Sequence, residues 1–69
     1  MEELKNRYFE RLNIFKDSKD IYGITKDIVN YRYGELYGLL DSMRMLDIIS
    51  FEEYLNLINE LNKIYNNML

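Results

Sequence analysis

The spacing of apolar residues along the chain predicts three amphipathic helices. Over residues 2–16, apolar side chains recur every three or four positions, which places them on one face of a helix. This first stripe consists of Leu4, Tyr8, Leu12 and Phe15. Phe9 lies about 100° away from the stripe, so we expect its ring either to flank the core or to be exposed.

A second helix is predicted over about residues 20–47, and its start is the least determined boundary. Ser18 and Asp20 are available to cap an early start, whereas a start after Gly23 would use Thr25 as the N-cap. We therefore expect a helix that ends near residue 47 and has two alternative beginnings.

The apolar face of this second helix contains one charged residue. The face consists of Ile28, Leu36, Leu39, Met43 and Leu46, with Val29 and Leu40 on its flank. A straight helix places Arg32 in the middle, which predicts either a bend near residue 34 or a carboxylate partner such as Glu35. Gly34 and Gly38 share one side of the helix. There we expect close approach of a neighbouring helix or, alternatively, a kink that shapes a binding surface.

The third helix, over about residues 51–66, has the clearest start. Ser50 and Glu53 form a capping-box pattern, in which the serine side chain caps the helix and the glutamate reaches back to the serine amide. Ile49 and Tyr54 flank this cap in the positions of a hydrophobic staple. We therefore expect the helix to begin directly after Ser50.

Residues 47–49 leave room only for a tight reversal, which predicts an antiparallel hairpin of the second and third helices. The apolar arc of the third helix covers nearly half its circumference, as expected for a helix with two neighbours. The arc consists of Phe51, Tyr54, Leu55, Leu57, Ile58, Leu61, Ile64, Tyr65 and Met68. We predict an all-α fold in a single domain over residues 1–69, a small three-helix bundle with a C-terminal antiparallel helical hairpin.

The composition argues against catalysis. The chain lacks histidine, the commonest general base, and cysteine, the strongest nucleophile. Its few aliphatic hydroxyls therefore have no histidine partner, and no glycine-rich phosphate loop or metal-ligand spacing is present. We expect a protein that is not an enzyme and that has no cofactor and no metal site.

Neither a membrane segment nor a leader is predicted. No apolar run approaches the roughly 20 residues that a membrane span needs. The residues after Met1 are acidic, whereas a signal peptide begins with basic residues. The absence of cysteine is consistent with a reducing compartment. We expect a cytoplasmic protein that does not associate with membranes.

Charge is distributed unevenly between the two halves of the chain. Residues 1–32 carry seven basic and six acidic side chains, whereas residues 33–69 carry two basic and six acidic ones. The acidic half would repel phosphate groups, which disfavours direct nucleic-acid binding. It would attract a partner protein with a basic surface, although a solvated acidic face without a partner explains the same pattern.

Tyrosine and arginine supply the candidate contact residues. Seven tyrosines are an unusual share of 69 residues, and both residue types are common in binding hot spots. The predicted partner-binding residues are Tyr33, Tyr37 and Arg44 on one side of the second helix, with the acidic Asp41, Glu52 and Glu53. The tyrosines have an alternative role as a second core contact, made with the first helix.

The C-terminal hairpin follows a known pattern. From Leu36 to Tyr65, a leucine-rich helix, a short turn, an I-S-F-E-E-Y cap and a second helix succeed one another. This order resembles the hairpins of short bacterial and phage proteins, and is similar to the oligomerisation hairpins called SHOCT domains. The resemblance covers less than half of the chain, and the glycine usual in that turn is Asp47 or Ile48 here.

The leading functional hypothesis is a small acidic, non-enzymatic protein-binding module. Isoleucine, asparagine, lysine and tyrosine have AT-rich codons and are abundant, which indicates a bacterial phage or mobile element. By analogy with small anti-CRISPR proteins, we expect an inhibitor that occupies the basic surface of a host nucleic-acid-handling protein. The alternative is a homo-oligomeric structural or scaffold module, with Phe9 and Ile14 at its interface. A small transcriptional regulator is the third hypothesis.

Overall fold

Three helices make up most of the chain in the computed structural model, which describes residues 2–18 and 25–68. They are α1 (Glu2–Asp17), α2 (Lys26–Met45) and α3 (Phe51–Met68), and the described residues contain no strand. The predicted all-α bundle is therefore confirmed, and the bounds of the first and third helices agree closely with prediction. None of the three helices is both long and apolar enough to cross a membrane.

The start of α2 lies later in the chain than residue 20. Thr25 has an extended backbone (φ −107°, ψ 161°), and its hydroxyl accepts a hydrogen bond from the Ile28 amide at 3.3 Å. An extended residue cannot lie inside a helix, so a helix that runs from residue 20 through Thr25 is wrong. The alternative start, with Thr25 as the N-cap, is confirmed.

Ser18 belongs to the end of α1 and does not cap α2. Its side chain is buried, and its hydroxyl donates a hydrogen bond to the Ile14 carbonyl at 2.8 Å. This bond to the residue four positions earlier satisfies a carbonyl in the last turn of α1. Asp20 and Gly23, the other residues considered for this boundary, lie outside the described residues.

The reversal between α2 and α3 is a Schellman motif. The Ile48 amide donates to the Met43 carbonyl at 2.8 Å, and the Asp47 amide donates to the Arg44 carbonyl at 3.1 Å. Asp47 has a φ of 57°, in the left-handed region where glycine is usual. A residue with a side chain costs roughly 1 kcal/mol more than glycine in that conformation. The turn therefore holds an aspartate at some cost in stability.

Of the two hydrogen bonds in the predicted capping box, one forms at the start of α3. The Ser50 hydroxyl accepts a hydrogen bond from the Glu53 amide at 3.0 Å, so the serine cap is confirmed. The reciprocal bond to the Ser50 amide is not formed among the described residues. The Glu53 carboxylate instead lies 3.3 Å from the Lys5 ammonium on α1.

Among the described residues, three ion pairs connect α1 to the hairpin. They are Lys5–Glu53 (3.3 Å), Lys16–Glu60 (3.5 Å) and Arg11–Glu35 (2.6 Å). Two of them join α1 to α3 in the same order along both helices, so these helices run parallel, with α2 antiparallel between them. Exposed pairs of this kind contribute about 0–1 kcal/mol each. Within the described residues, Glu35 therefore pairs with Arg11 and not, as expected, with Arg32.

The core lies where the three helices meet. It consists of Tyr8, Leu12, Phe15, Val29, Leu36, Leu40, Met43, Ile49, Leu57 and Leu61. The stripe predicted for α1 supplies three of these residues, and Leu4 packs against them in a half-buried position. Phe9 is 40% exposed and meets the Tyr8 ring edge to face, with 5.3 Å between the ring centres. Of the two predicted alternatives, the exposed position is therefore the one that the structure shows.

The core face of α2 is rotated by about 60° from the predicted one. Val29 and Leu40, expected on the flank, are buried, whereas Ile28 and Leu46 are 43% and 56% exposed. The reason is that α3 packs against the side of α2 that carries Tyr33 and Tyr37, so the buried face includes residues next to that side. Arg32 then lies at the edge of the core and is half-buried, so the conflict that suggested a bend does not arise.

Gly34 and Gly38 do not bring two helices together. A Cβ atom added at either position would have no neighbour within 4 Å, and both glycines are exposed. The predicted close approach of another helix is therefore wrong, because the glycine side of α2 faces away from the buried residues and into open space. These glycines only weaken the helix, since glycine loses more conformational freedom than alanine on folding.

We expect Gly34→Ala and Gly38→Ala each to raise the free energy of unfolding by about 1 kcal/mol. The added methyl groups meet no atom and reduce the conformational freedom of the unfolded chain. Urea titration followed by circular dichroism measures the gain, and Ser42→Ala, at another exposed position of α2, should gain less. A loss of stability in either glycine variant would contradict the open space seen around these residues.

Candidate protein-binding surface

Tyr33 and Tyr37, the predicted aromatic contacts, lie between α2 and α3. The Tyr33 hydroxyl donates to the Asn62 side-chain carbonyl at 2.6 Å, and its ring stacks on Tyr65 with 4.3 Å between ring centres. The Tyr37 ring lies 5.9 Å from the Tyr33 ring, and both side chains are half-buried. Burial, with the neighbouring tyrosines, raises the pKa of Tyr33. Their neighbour is α3, and not α1 as the alternative interpretation expected.

Asp41 also contacts α3. The Tyr54 hydroxyl donates a hydrogen bond to its carboxylate, and this bond raises the pKa of Tyr54. Nearer the other end of the hairpin, the Tyr65 hydroxyl donates to the Asn30 side-chain carbonyl. The polar contacts between α2 and α3 therefore follow an antiparallel register along the whole hairpin, and Asp41 is one of them.

Arg44 stabilises the turn between α2 and α3. Its guanidinium donates to the Asp47 carboxylate at 2.9 Å and to the Ile49 carbonyl at 3.3 Å. These bonds span the Schellman motif from the end of α2 to the residue before the cap of α3. The side chain is half-buried. Arg44 therefore orders the reversal through one of its guanidinium nitrogens.

The two acidic candidates on α3 differ in environment. Glu53 is half-buried and paired with Lys5, whereas Glu52, one residue earlier, is exposed. Of the six predicted contact residues, Glu52 alone is exposed, and the other five are half-buried and bonded or stacked within the chain. The structure therefore brings Tyr33, Tyr37, Asp41 and Arg44 together as parts of the hairpin.

A different set of side chains forms an exposed apolar surface at the turn end of the hairpin. We call it the tip patch, and it consists of Met45 (83% exposed), Leu46 (56%), Phe51 (60%) and Leu55 (44%). By their spacing, Leu46, Phe51 and Leu55 fall within the apolar faces predicted for α2 and α3. The sequence predicts Met45, like Met43, first as core filler and second as an adaptable contact.

The register of the hairpin places Met45 and Phe51 at the same level along the two helices. Asp41 and Tyr54 are hydrogen-bonded across the two helices, Met45 lies one turn beyond Asp41, and Phe51 lies one turn before Tyr54. Both residues therefore lie beyond this bond, at the turn end of the hairpin. The Phe51 ring also stacks on Tyr54, with 6.4 Å between ring centres, and Leu55 follows one turn along the same side.

The ion pairs change where negative charge is exposed. Glu35, Glu53 and Glu60 of the acidic half are each paired with a base of α1. Two exposed carboxylates lie near the tip: Glu52, and Asp47, whose side chain is 87% exposed although it pairs with Arg44. The acidic surface therefore covers less of the C-terminal half than the charge count indicates.

A shallow groove of about 490 Å³ also lies between α1 and the start of α2. Its lining includes the bonded Arg11–Glu35 pair together with Tyr31 and Arg32. Charges of both signs line it, and it opens broadly to solvent, so the groove selects no particular ligand chemistry. Among the described residues, no group of three acidic side chains is placed to hold a metal ion.

No protein-family model matches this chain, and no curated protein or solved structure is significantly similar to it.

Proposed function

We propose that this chain is a small, non-enzymatic protein-binding module that uses the tip patch to occupy a basic surface of its partner. The observation that carries the proposal is the exposure of four large apolar side chains at one end of a well-packed hairpin, next to two exposed carboxylates. Contiguous apolar surface rimmed by polar groups is typical of protein–protein interaction sites.

Order in the hairpin supports this role. The Schellman motif, the Ser50 cap and the two hydrogen bonds of Arg44 hold the turn in one conformation. A patch on such a support loses little conformational entropy when a partner binds. The net charge of −3 adds long-range attraction toward a basic surface, which mainly increases the association rate.

In the context that the AT-rich composition suggests, the module is an inhibitor encoded by a phage or mobile element and acts in the bacterial cytoplasm. Its partner is a host protein that handles nucleic acid. Binding would exclude the nucleic acid sterically and by charge, as small anti-CRISPR proteins do by analogy. The contact residues of this proposal are Met45, Phe51, Leu55 and Glu52, and of these Glu52 also follows from the sequence.

Self-association is the competing function, and the structure offers it a weaker surface. Phe9 and Ile14 on α1 are 40% and 47% exposed, as the dimer hypothesis requires. They lie five positions apart, however, which is about 140° around a helix. They therefore do not form one continuous interface on α1.

Affinity capture with matched baits tests the proposed function. We expect wild-type protein to retain a bacterial protein that Met45→Glu fails to retain, because a charged side chain in the patch centre cannot be desolvated. Ile14→Glu is the matched control, since it also replaces an exposed apolar residue but lies on α1 away from the tip. The captured protein should lose its bound nucleic acid when wild-type protein is added.

Two results would contradict the proposal. If wild type, Met45→Glu and Ile14→Glu retain the same proteins, the tip patch is not a binding surface. If sedimentation equilibrium shows a stable homodimer that Met45→Glu dissociates, the patch serves self-association, and the scaffold function replaces the inhibitor function.

A further inference from the structure

We infer that the occupant of the tip patch is a basic amphipathic segment, and that Asp47 is the residue that selects its positive charge. This inference rests on the proposed function and specifies the partner's chemistry. Apolar side chains of the segment would cover Met45, Phe51 and Leu55, and its lysines or arginines would meet the rim of the patch.

The rim of the patch carries more negative than positive charge. Asp47 and Glu52 are exposed beside it, and their side chains extend into solvent from the turn and from the first turn of α3. Arg44 compensates part of this charge, since its guanidinium donates to Asp47 and to the Ile49 carbonyl. Among the described residues Glu52 forms no ion pair, and the Asp47 side chain stays 87% exposed beside Arg44, so the rim is net negative. This favours lysine or arginine next to the apolar residues of a segment that covers the patch.

The conformation of Asp47 is an independent indication that its carboxylate has a use. It is the only non-glycine residue with positive φ among those described, and it occupies the position where glycine stabilises this motif. Its pair with Arg44 is exposed, and such pairs contribute little to stability. Stability alone therefore favours glycine at this position, whereas recognition of a basic segment favours aspartate.

The same charges argue against a second copy of the chain as the occupant. Two tips that meet about a twofold axis would bring Asp47 and Glu52 of both copies into one interface. Like charges placed together at an interface oppose binding. Nucleic acid is disfavoured for the same reason, since its phosphates would approach these carboxylates.

The test uses a synthetic helical peptide of about 15 residues, with leucines on one face and lysines on the other. A matched peptide replaces every lysine with glutamate. Binding is followed by nuclear magnetic resonance on protein labelled at its methionine methyl groups. Met45 is 83% exposed and reports on the patch, whereas Met43 is fully buried and serves as the internal reference. We expect the leucine–lysine peptide to shift the Met45 resonance in a saturable manner and to leave Met43 in place.

Three variants separate charge selection at the tip from general attraction. Met45→Glu should weaken peptide binding by at least about tenfold, since it disrupts the apolar contact. Asp47→Gly should weaken binding by about threefold to tenfold while leaving the protein at least as resistant to urea. Glu10→Gln removes an exposed carboxylate from α1 and should change the affinity by less than about twofold.

The inference is overturned if the leucine–glutamate peptide binds equally well, or if Glu10→Gln weakens binding as much as Asp47→Gly. It is also overturned if the Met45 resonance shifts when the protein concentration is raised without peptide, because the occupant is then a second copy of the chain. If the peptide does not bind, but wild-type protein captures a cellular protein that Met45→Glu does not capture, only the inference of a basic segment is contradicted. If wild type and Met45→Glu capture the same cellular proteins, the proposed function itself is contradicted.

Discussion

Leu61→Ala is expected to lower the free energy of unfolding by about 2–5 kcal/mol, enough to remove much of the stability of a domain of this size. Leu61 is fully buried in α3, where it packs among the core residues of all three helices. Truncation removes apolar contacts and leaves a cavity that a small bundle can only partly close. Urea unfolding followed by circular dichroism measures the loss.

Leu55→Ala is the matched control, since it makes the same chemical change in the same helix at a residue that is 44% exposed. Its free energy of unfolding should change by less than about 0.5 kcal/mol. If Leu55→Ala destabilises the protein as strongly as Leu61→Ala, then Leu55 is a core residue and does not belong to the tip patch. We expect Leu55→Ala to be about as stable as wild type and to bind the partner more weakly.

The second large effect concerns Tyr8, whose hydroxyl is buried without a hydrogen-bond partner. A buried hydroxyl that lacks a partner costs about 1–3 kcal/mol. We therefore expect Tyr8→Phe to be at least as stable as wild type at neutral pH, because phenylalanine keeps the ring and removes the unsatisfied group. Tyr31→Phe is the control, since Tyr31 is 73% exposed.

The same residue predicts a dependence on alkaline pH. Burial, with a smaller contribution from the Glu60 carboxylate, raises the pKa of Tyr8 from 10.0 to about 12. Because the folded-state pKa is above the unfolded one, the stabilisation of the neutral phenol is fully present below pH 10. It is lost as the pH rises through about 12, and the loss is up to about 3 kcal/mol.

Urea titrations between pH 9 and pH 12 test this effect as a difference between variants. Wild type and Tyr31→Phe should lose stability together, while Tyr8→Phe should lose less. The difference between wild type and Tyr8→Phe isolates this effect, because every other side chain is common to both proteins. Identical slopes for wild type and Tyr8→Phe would show that the Tyr8 hydroxyl is hydrated in solution.

The candidate site was only partly predictable. Tyrosine content and charge predicted a contact surface around residues 33–53, and the structure places two of its residues, Tyr33 and Asp41, in contacts between α2 and α3. Tyrosine suits an interface between helices of one chain as well as it suits an interface between chains, so its abundance does not distinguish them. Met45, predicted first as core filler, is 83% exposed, because it lies on the side of α2 opposite the buried residues.

Local chemistry was sufficient to predict the helices, the Ser50 cap and the tight reversal, since each depends on residues within a few positions of one another. The rotation of α2, the pairing of α1 bases with hairpin carboxylates and the open space at Gly34 and Gly38 depended on where neighbouring helices pack. Helix position is the outcome of many weak contacts between distant parts of the chain, and a periodicity of 3.6 residues defines a face only to within about 60°. The three-dimensional packing was therefore needed to show which apolar residues are buried and which remain available to a partner.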